Sequence, residues 1–307
     1  MKILIVGAGG IGGYFGARLM ETGQDVTFLV RERRKAQLEK TELHVESVNG
    51  NMQAAPKLIT AKEKAGPYDL IVLTTKSYQL QGAIDDIRPF AGESSMILPL
   101  LNGISHIDRL VEAFGEERVL GGLCFIETTL DENGKVVQTS PMNQLVYGER
   151  SGEKTERILE VEKAFSGTKA EFMLSENIGQ DMWHKYLFIT AMSGITAAMA
   201  SPIGPIRTLE SGKRTIAALL GELVAVMKAM DAPVRETIAE EQLEKIMSLG
   251  PDMKSSMQRD MEKGQPIEAD HLQGHLLEKA KAHNVAVPVL ETIYTKLKLY
   301  EMNSQNI

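Results

Sequence analysis

Three glycines near the start of the chain have a spacing that could serve chemistry. They follow the apolar run Lys2 to Val6 in the pattern Gly7-x-Gly9-x-x-Gly12. In a strand–turn–helix unit, the first glycine permits the turn, the second admits a pyrophosphate to the backbone, and the third lets the helix lie close to the strand. The helix N-terminus then offers free N–H groups to the phosphates. The pattern predicts a dinucleotide site, with an incidental glycine-rich turn as the alternative. The candidate residues are Gly7, Ala8, Gly9, Gly10, Ile11 and Gly12.

The next predicted strand, Asp25 to Val30, ends at Arg31. Enzymes that use NAD usually place an acidic residue here to bind the ribose hydroxyls, whereas an arginine suits the 2′-phosphate of NADP. Arg31 therefore favours NADPH over NADH. Glu32 opposes this interpretation, and we interpret it as a solvated loop charge because it lies one residue past the strand end.

Two polar residues directly follow apolar runs that are typical of buried parallel strands. The run Asp69 to Thr74 leads to Lys76, and the run Met96 to Leu101 leads to Asn102. Ligands of open α/β sheets bind beyond the carboxyl ends of the strands, so both residues are candidates for the cofactor crevice. From spacing alone, a surface lysine and a turn asparagine are equally good interpretations.

The remaining pattern divides the chain into two domains. We predict an α/β fold, with an N-terminal Rossmann-type doubly wound sheet over residues 1–175 and an all-α domain over residues 176–307. The cleft between the domains is the expected substrate site. In the first domain, the predicted later elements are short strands at 43–48 and 57–60 around an Asn49-Gly50 turn, a hairpin of 119–130 with 135–139, a third strand at 144–147, a helix at 153–165 and a strand at 170–173. The predicted helices of the second domain are 181–200, 215–230, 235–249, 255–262, 267–283 and 288–302.

Composition excludes several classes of protein. The chain has 307 residues, and its one cysteine, Cys124, excludes a disulfide framework and a cysteine-based metal site. A net charge of −7 argues against a general nucleic-acid surface. No run is long enough to span a bilayer, and strand one begins at once with no secretion signal. We therefore expect a cytoplasmic protein with a small-molecule ligand and no nucleic-acid or membrane partner. The methionine-rich helices leave a homodimer open.

Six short motifs along the chain can be compared, by their order and spacing, with those of known protein families. They are Gly7 to Gly12, Thr75-Lys76, Leu101-Asn102-Gly103, Trp183-His184-Lys185, Ser255-Ser256-Met257 with Asp260, and Ile267-Glu268-x-Asp270 with Gly274. In this order they resemble the ketopantoate reductases (2-dehydropantoate 2-reductases), and the resemblance spans nearly the whole chain.

The resemblance implies an activity and a role for each matching residue. The activity is hydride transfer from NADPH to 2-dehydropantoate, which gives (R)-pantoate for pantothenate and coenzyme A synthesis. Lys185 matches the catalytic proton donor of the family, and Glu268 matches an acidic residue that contacts the cofactor and the active site. Ser256 matches a substrate-binding serine. The implied NADPH contacts are Gly7 to Gly12, Arg31, Lys76, Asn102 and Glu268, with a further contact near Thr128. The implied substrate contacts are Asn102, Lys185, Ser256 and positions 189 and 193.

General chemistry agrees with the role of Lys185. Hydride attack on a ketone builds negative charge on the oxygen, so the site needs a positioned acid or cation. A lysine in a desolvated cleft can serve, because burial lowers its pKa. Glu268 could hold either this lysine or the cofactor ribose. Without the resemblance, Lys185 would equally be one of many helix-surface lysines.

The chain also departs from the family. The family presents asparagines four and eight residues after the lysine and another before a later glycine, where this chain has Ile189, Ser193 and Ile203. The pocket is therefore expected either to prefer a less polar 2-oxo acid or to take the missing contacts from neighbours such as Thr190, Ser193 or Ser201. The alternatives are a reductase or dehydrogenase of the same family with another substrate, and a non-catalytic NADP(H)-binding sensor.

One further pattern could suggest a metal. His271 and His275 are spaced i, i+4 on a predicted helix, with Glu268 and Glu278 near the same helix face. We expect no metal there, because Glu268 has a better assignment and no second set of ligands accompanies the histidines.

Overall fold

The computed structural model describes residues 1–304, and the chain divides into two compact units. The first unit comprises residues 1–101 and 106–179, and the second comprises Asn102–Ser105 and, of the described residues, 180–304. The division thus falls between Gly179 and Gln180, inside a helix that begins at Ile178, rather than between residues 175 and 176. The segment Asn102–Ser105, which we placed in the first domain, clusters with the helical unit.

The first unit contains two sheets and five α-helices. Its strands are β1 (Lys2–Val6), β2 (Asp25–Leu29), β3 (Leu43–Ser47), β4 (Met52–Ala54), β5 (Lys57–Ile59), β6 (Tyr68–Leu73), β7 (Ala91–Pro99), β8 (Gly121–Leu130), β9 (Val136–Gly148) and β10 (Glu171–Leu174). Its helices are α1 (Gly10–Glu21), α2 (Glu32–Thr41), α3 (Leu80–Ile87), α4 (His106–Phe114) and α5 (Glu156–Phe165), with 3₁₀ turns at Ser77–Gln79, Arg88–Phe90 and Glu116–Arg118.

The first sheet is the parallel sheet that the apolar runs predict. Its order is β5-β2-β1-β6-β7, and every neighbouring pair is parallel. The apolar residues of β1 and β6 are buried, as expected for strands that are covered on both faces. The α/β fold class is confirmed.

The second sheet differs from the prediction in two places. The antiparallel hairpin of β8 and β9 is present, but the separately predicted strands at 135–139 and 144–147 both lie in β9. The register shift between Ile126 and Thr128 takes up the intervening residues, so one strand continues through both segments. The partner of β3 across the Asn49-Gly50 turn is β4, whereas β5 pairs with β2 in the first sheet.

Helix α1 packs closely in the first unit because its inner face carries glycine. A Cβ placed on Gly13 would lie 2.7 Å from a methyl of Val136, and one on Gly16 would lie 2.5 Å from the ring of Phe28. Val136 and Phe28 belong to different sheets. The glycine-rich helix therefore contacts strands of both sheets at distances that a larger residue would prevent.

The second unit is helical. Its helices are α6 (Ile178–Ala198, which begins in the first unit), α7 (Ile203–Thr208), α8 (Glu210–Ala229), α9 (Ile238–Ser248), α10 (Ser256–Glu262), α11 (His275–Ala282) and α12 (Pro288–Ser304). Helix α8, which buries one face, contacts α7, α9, α11 and α12. Two features differ from the prediction. The short helix α7 lies between the predicted helices 181–200 and 215–230, where we predict no helix, and the predicted helix 267–283 contains a π-helical segment at Asp270–Gly274. Within residues 1–304, no helix combines the length and apolar character that a membrane span requires.

Candidate functional site

The glycine-rich loop has the geometry of a phosphate cradle. Gly7 has a φ of +97°, a conformation that favours glycine. A Cβ on Gly12 would lie 2.1 Å from the carbonyl oxygen of Gly7 and 2.4 Å from Oγ1 of Thr74, so no side chain fits there. At Gly9, nothing lies within 4 Å of the equivalent position. The loop is therefore closed by packing behind Gly12 and open in front of Gly9.

The open side of this loop is also the N-terminus of α1. Gly9 is the N-cap of this 12-residue helix, and no side chain caps it. The first N–H groups of a helix lack partners within the helix, and they favour an anion. The residues present therefore fit the pyrophosphate of a dinucleotide.

Two side chains that we did not assign to the site hold the loop in place. The hydroxyl of Thr74 donates to the carbonyl of Val6 at 2.8 Å. The guanidinium of Arg34 donates to the carbonyl of Ala8 at 3.2 Å and to that of Gly134 at 2.9 Å. Arg34 is half-buried, and burial lowers the pKa of its guanidinium. The sequence signal for Arg34 is weak, because it is one of three arginines between residues 31 and 34.

The other cofactor candidates of the first unit lie in different surroundings. Arg31 is exposed and forms the N-cap position of α2, directly beyond β2. Lys76 is half-buried and precedes the 3₁₀ turn Ser77–Gln79. Thr128 stands beside the glycine-rich loop, because a Cβ on Gly10 would lie 2.7 Å from its hydroxyl oxygen. The structure thus brings Thr128 and Arg34 to the loop.

In the second unit, the candidate acid and its acidic companion are both buried. Lys185 on α6 is 7% exposed, and Glu268, before the π-helical segment, is 9% exposed. Burial of both charged side chains is uncommon unless they interact with partners, and each of them has such an interaction.

The positions at which the family has asparagine are occupied in three different ways. Ile189 is half-buried on α6. Ser193 is buried, and its hydroxyl donates to the carbonyl of Ile189 and accepts from the amide of Gln273 at 3.1 Å. Ile203 is fully buried in the hydrophobic core of the second unit. Ile203 is therefore a packing residue.

The π-helical segment is fixed to α6 by two hydrogen bonds. The hydroxyl of Tyr186 donates to the carbonyl of Leu272 at 2.7 Å, and the amide of Gln273 donates to the carbonyl of Thr190 at 2.9 Å. Single-turn π-helical segments are rare in proteins and are frequent at functional sites. Neither Tyr186 nor Gln273 was predicted, because the π segment gives no sequence signal.

Two further candidates lie elsewhere in the second unit. Ser256 is exposed at the start of α10, and the preceding Ser255 caps that helix and accepts a hydrogen bond from Thr196 at 2.8 Å. Asn102 is half-buried and belongs to the short segment that clusters with the helices. Within the described part of the chain, no group of three or more His, Cys, Asp or Glu side chains is placed to hold a metal.

Comparison with known proteins gives matches over both units. The family model for ketopantoate reductase PanE/ApbA matches residues 3–152, and the model for the C-terminal part of that family matches residues 177–301. The chain is 49% identical to the uncharacterized oxidoreductase YkpB of Bacillus subtilis, with 98% of this chain and 99% of the relative covered. It is 29% identical to a 2-dehydropantoate 2-reductase of Pyrococcus horikoshii, with 98% of both chains covered. A crystal structure of 2-dehydropantoate 2-reductase from Geobacter metallireducens is similar with a TM-score of 0.88 at 27% identity, covering 97% of this chain and 99% of that one.

Proposed function

Because the chain belongs to the ketopantoate reductase family and is an oxidoreductase, we propose that it reduces 2-dehydropantoate to (R)-pantoate with NADPH. The observation that carries the proposal is that the family match includes both units, while Lys185 and Glu268 are present and buried in the second. A protein that merely bound the cofactor would have no need of a buried acid.

The first unit would hold the dinucleotide. The loop Gly7 to Gly12 and the N-terminus of α1 bind the pyrophosphate, since Gly9 leaves the backbone open. Arg31 binds the 2′-phosphate, which is the reason for proposing NADPH rather than NADH. Thr128 and Lys76 add polar contacts. When bound, NADPH supplies the hydride for the ketone carbon.

In this proposal, Lys185 protonates the ketone oxygen as negative charge develops on it. Its ammonium group first stabilises that charge and then donates the proton, which gives the product hydroxyl. Glu268 binds the cofactor and keeps the site polar. Ser256 and Asn102 bind the substrate.

A second candidate substrate class is favoured by the three replaced asparagines. Ile189 offers no hydrogen bond from its side chain, and Ile203 lies in the core. The hydroxyl of Ser193 already has a donor and an acceptor in the protein. A site that lacks these amides discriminates less for a hydroxylated substrate, so a less polar 2-oxo acid is the alternative.

The test is NADPH oxidation, followed at saturating cofactor, with 2-dehydropantoate and a series of 2-oxo acids that differ in the polarity of the side chain. The proposal predicts the largest kcat/KM for 2-dehydropantoate. A larger value for an apolar 2-oxo acid would support the second candidate instead. Tight NADPH binding without oxidation by any member of the series would indicate a sensor.

A further inference from the structure

The segment Asn102–Ser105 takes its position from the helical unit. It follows the run that ends at Leu101, yet it clusters with the helices, and the side chain of Ile104 packs against their hydrophobic core. Asn102, a candidate for cofactor and substrate binding, is the first residue of this segment. What fixes the segment therefore also determines where Asn102 lies.

His271 holds the segment through both ring nitrogens. Its Nε2 lies 2.5 Å from the carbonyl oxygen of Asn102, and its Nδ1 lies 3.0 Å from the hydroxyl of Ser105. A carbonyl oxygen can only accept, so Nε2 carries a hydrogen and donates it, while Nδ1 forms the second hydrogen bond with the serine hydroxyl. One imidazole thus binds both ends of the four-residue segment.

The residue between these contacts is adapted to the ring. Gly103 has a φ of +86°, and a Cβ there would lie 2.7 Å from Nε2 of His271. A side chain at Gly103 would therefore push the imidazole away from the backbone. The glycine is required both by its conformation and by the close approach of the ring.

His271 is itself fixed by the π-helical segment Asp270–Gly274. Tyr186 and Gln273 bind this segment to α6, the helix that carries Lys185. Glu268 lies three residues before His271 in the chain. The same stretch thus connects the helix of the candidate acid with the backbone of Asn102.

We infer that His271 is a positioning residue that holds Asn102 in the conformation that binds the cofactor. This inference rests on the proposed function, which assigns Asn102 to the cofactor. His271 acts through its hydrogen bonds to the backbone of Asn102 and to Ser105 and takes no part in proton transfer. An apolar ring of similar volume would fill the space without holding the carbonyl.

The experiment measures NADPH dissociation constants by fluorescence titration for the parent and for the variants His271→Ala, His271→Gln, Asn102→Ala and the double variant His271→Ala/Asn102→Ala. We expect His271→Ala to weaken binding about tenfold, since two hydrogen bonds of about 1 kcal/mol each are lost in part. His271→Gln retains an amide donor and should restore binding to within about threefold of the parent. In the double variant, the loss of NADPH affinity should not exceed the loss in Asn102→Ala alone, because His271 acts through Asn102. His283→Ala, an exposed histidine beyond α11, is the matched control and should bind as the parent does.

Parent-like NADPH binding by His271→Ala would overturn the inference, and so would a loss that adds fully to that of Asn102→Ala. If His271→Ala does not fold, Ser105→Ala removes one of the two contacts and should still weaken binding about threefold, whereas unchanged binding would overturn the inference. If the parent binds NADPH but reduces no 2-oxo acid, the proposed function fails while the titration still decides the role of His271. A parent that does not bind NADPH contradicts both.

Discussion

Gly9 and Gly12 belong to one motif, but alanine at the two positions should damage different properties. At Gly12, the new Cβ would meet the carbonyl oxygen of Gly7 at 2.1 Å and the Thr74 hydroxyl at 2.4 Å. Both neighbours are fixed, since one is backbone and the other donates to the carbonyl of Val6. At Gly9, the backbone is extended with a φ of −86°, and the new methyl meets nothing within 4 Å.

These contacts set the expected magnitudes. Overpacking that moves the backbone costs about 3 kcal/mol, so Gly12→Ala should lower the Tm of the first unit by roughly 6–12 °C. Gly9→Ala should lower the free energy of unfolding by no more than about 1 kcal/mol, because its methyl meets no neighbour and the only loss is that alanine is a poorer N-cap than glycine. Its methyl would occupy the space of the pyrophosphate, and the loss of one or two hydrogen bonds to charged oxygen, about 2–4 kcal/mol, should raise the NADPH dissociation constant roughly 30- to 700-fold.

Thermal unfolding followed by circular dichroism checks the predicted effects on stability, and NADPH titration followed by fluorescence checks the predicted effects on binding. The expected pattern is a low Tm for Gly12→Ala and a parent-like Tm with weak NADPH binding for Gly9→Ala. If Gly9→Ala binds NADPH as tightly as the parent, the pyrophosphate does not lie at this loop, and the assignment of the cofactor site is wrong.

Three further changes test other parts of the site. Lys185→Ala should lower kcat by a factor of about 10²–10⁴, while the NADPH dissociation constant stays within about threefold of the parent value. The control Lys296→Ala, on the exposed face of α12, should match the parent. Turnover by Lys185→Ala comparable to that of the parent would refute the proton-donor role. Arg31→Ala should weaken NADPH binding about 10- to 100-fold and leave NADH binding nearly unchanged. The control is Arg33→Ala, at a neighbouring exposed arginine. Equal losses of affinity for both cofactors would contradict the assignment of Arg31 to the 2′-phosphate. Burial by itself raises the pKa of Glu149, but hydrogen bonds from Arg157 and Thr155 outweigh it and hold that pKa below its ordinary value of 4.5. The stabilisation by this ion pair is therefore complete above about pH 4.5 and is lost as the pH falls through the lower pKa that Glu149 has in the folded protein. The difference in unfolding free energy between the parent and Glu149→Gln should shrink in acid. A difference that grows in acid would contradict the direction of the pKa shift.

The fold was largely predictable because its signals are local. The strands β1, β2 and β6 and the second half of β7, from Met96, are predominantly apolar runs, and the helices of the second unit show clear periodicity. The errors occur where long-range pairing decides. The continuous strand β9 depends on the irregular register against β8, and β5 joins the first sheet by pairing with β2. Neither pairing has a sequence signal.

The candidate site shows the same limit. The glycine pattern predicted the loop. In the structure Gly7 has a positive φ at the turn and Gly12 has no room for a side chain, which are the reasons for expecting glycine at these positions. The contacts of Arg34 with Ala8, and of His271 with Asn102, join residues that are distant in sequence. Such contacts depend on the packing of the folded chain, and a single sequence does not reveal them.

Hydride transfer to 2-dehydropantoate is tested most directly with NADPH that carries deuterium at both C4 positions. After reaction with the parent enzyme, mass spectrometry and NMR should find pantoate with one deuterium at the carbon that was the ketone, in a one-to-one ratio with NADP⁺. Product without deuterium at that carbon, or no pantoate at all in the presence of bound NADPH, would contradict the proposed function.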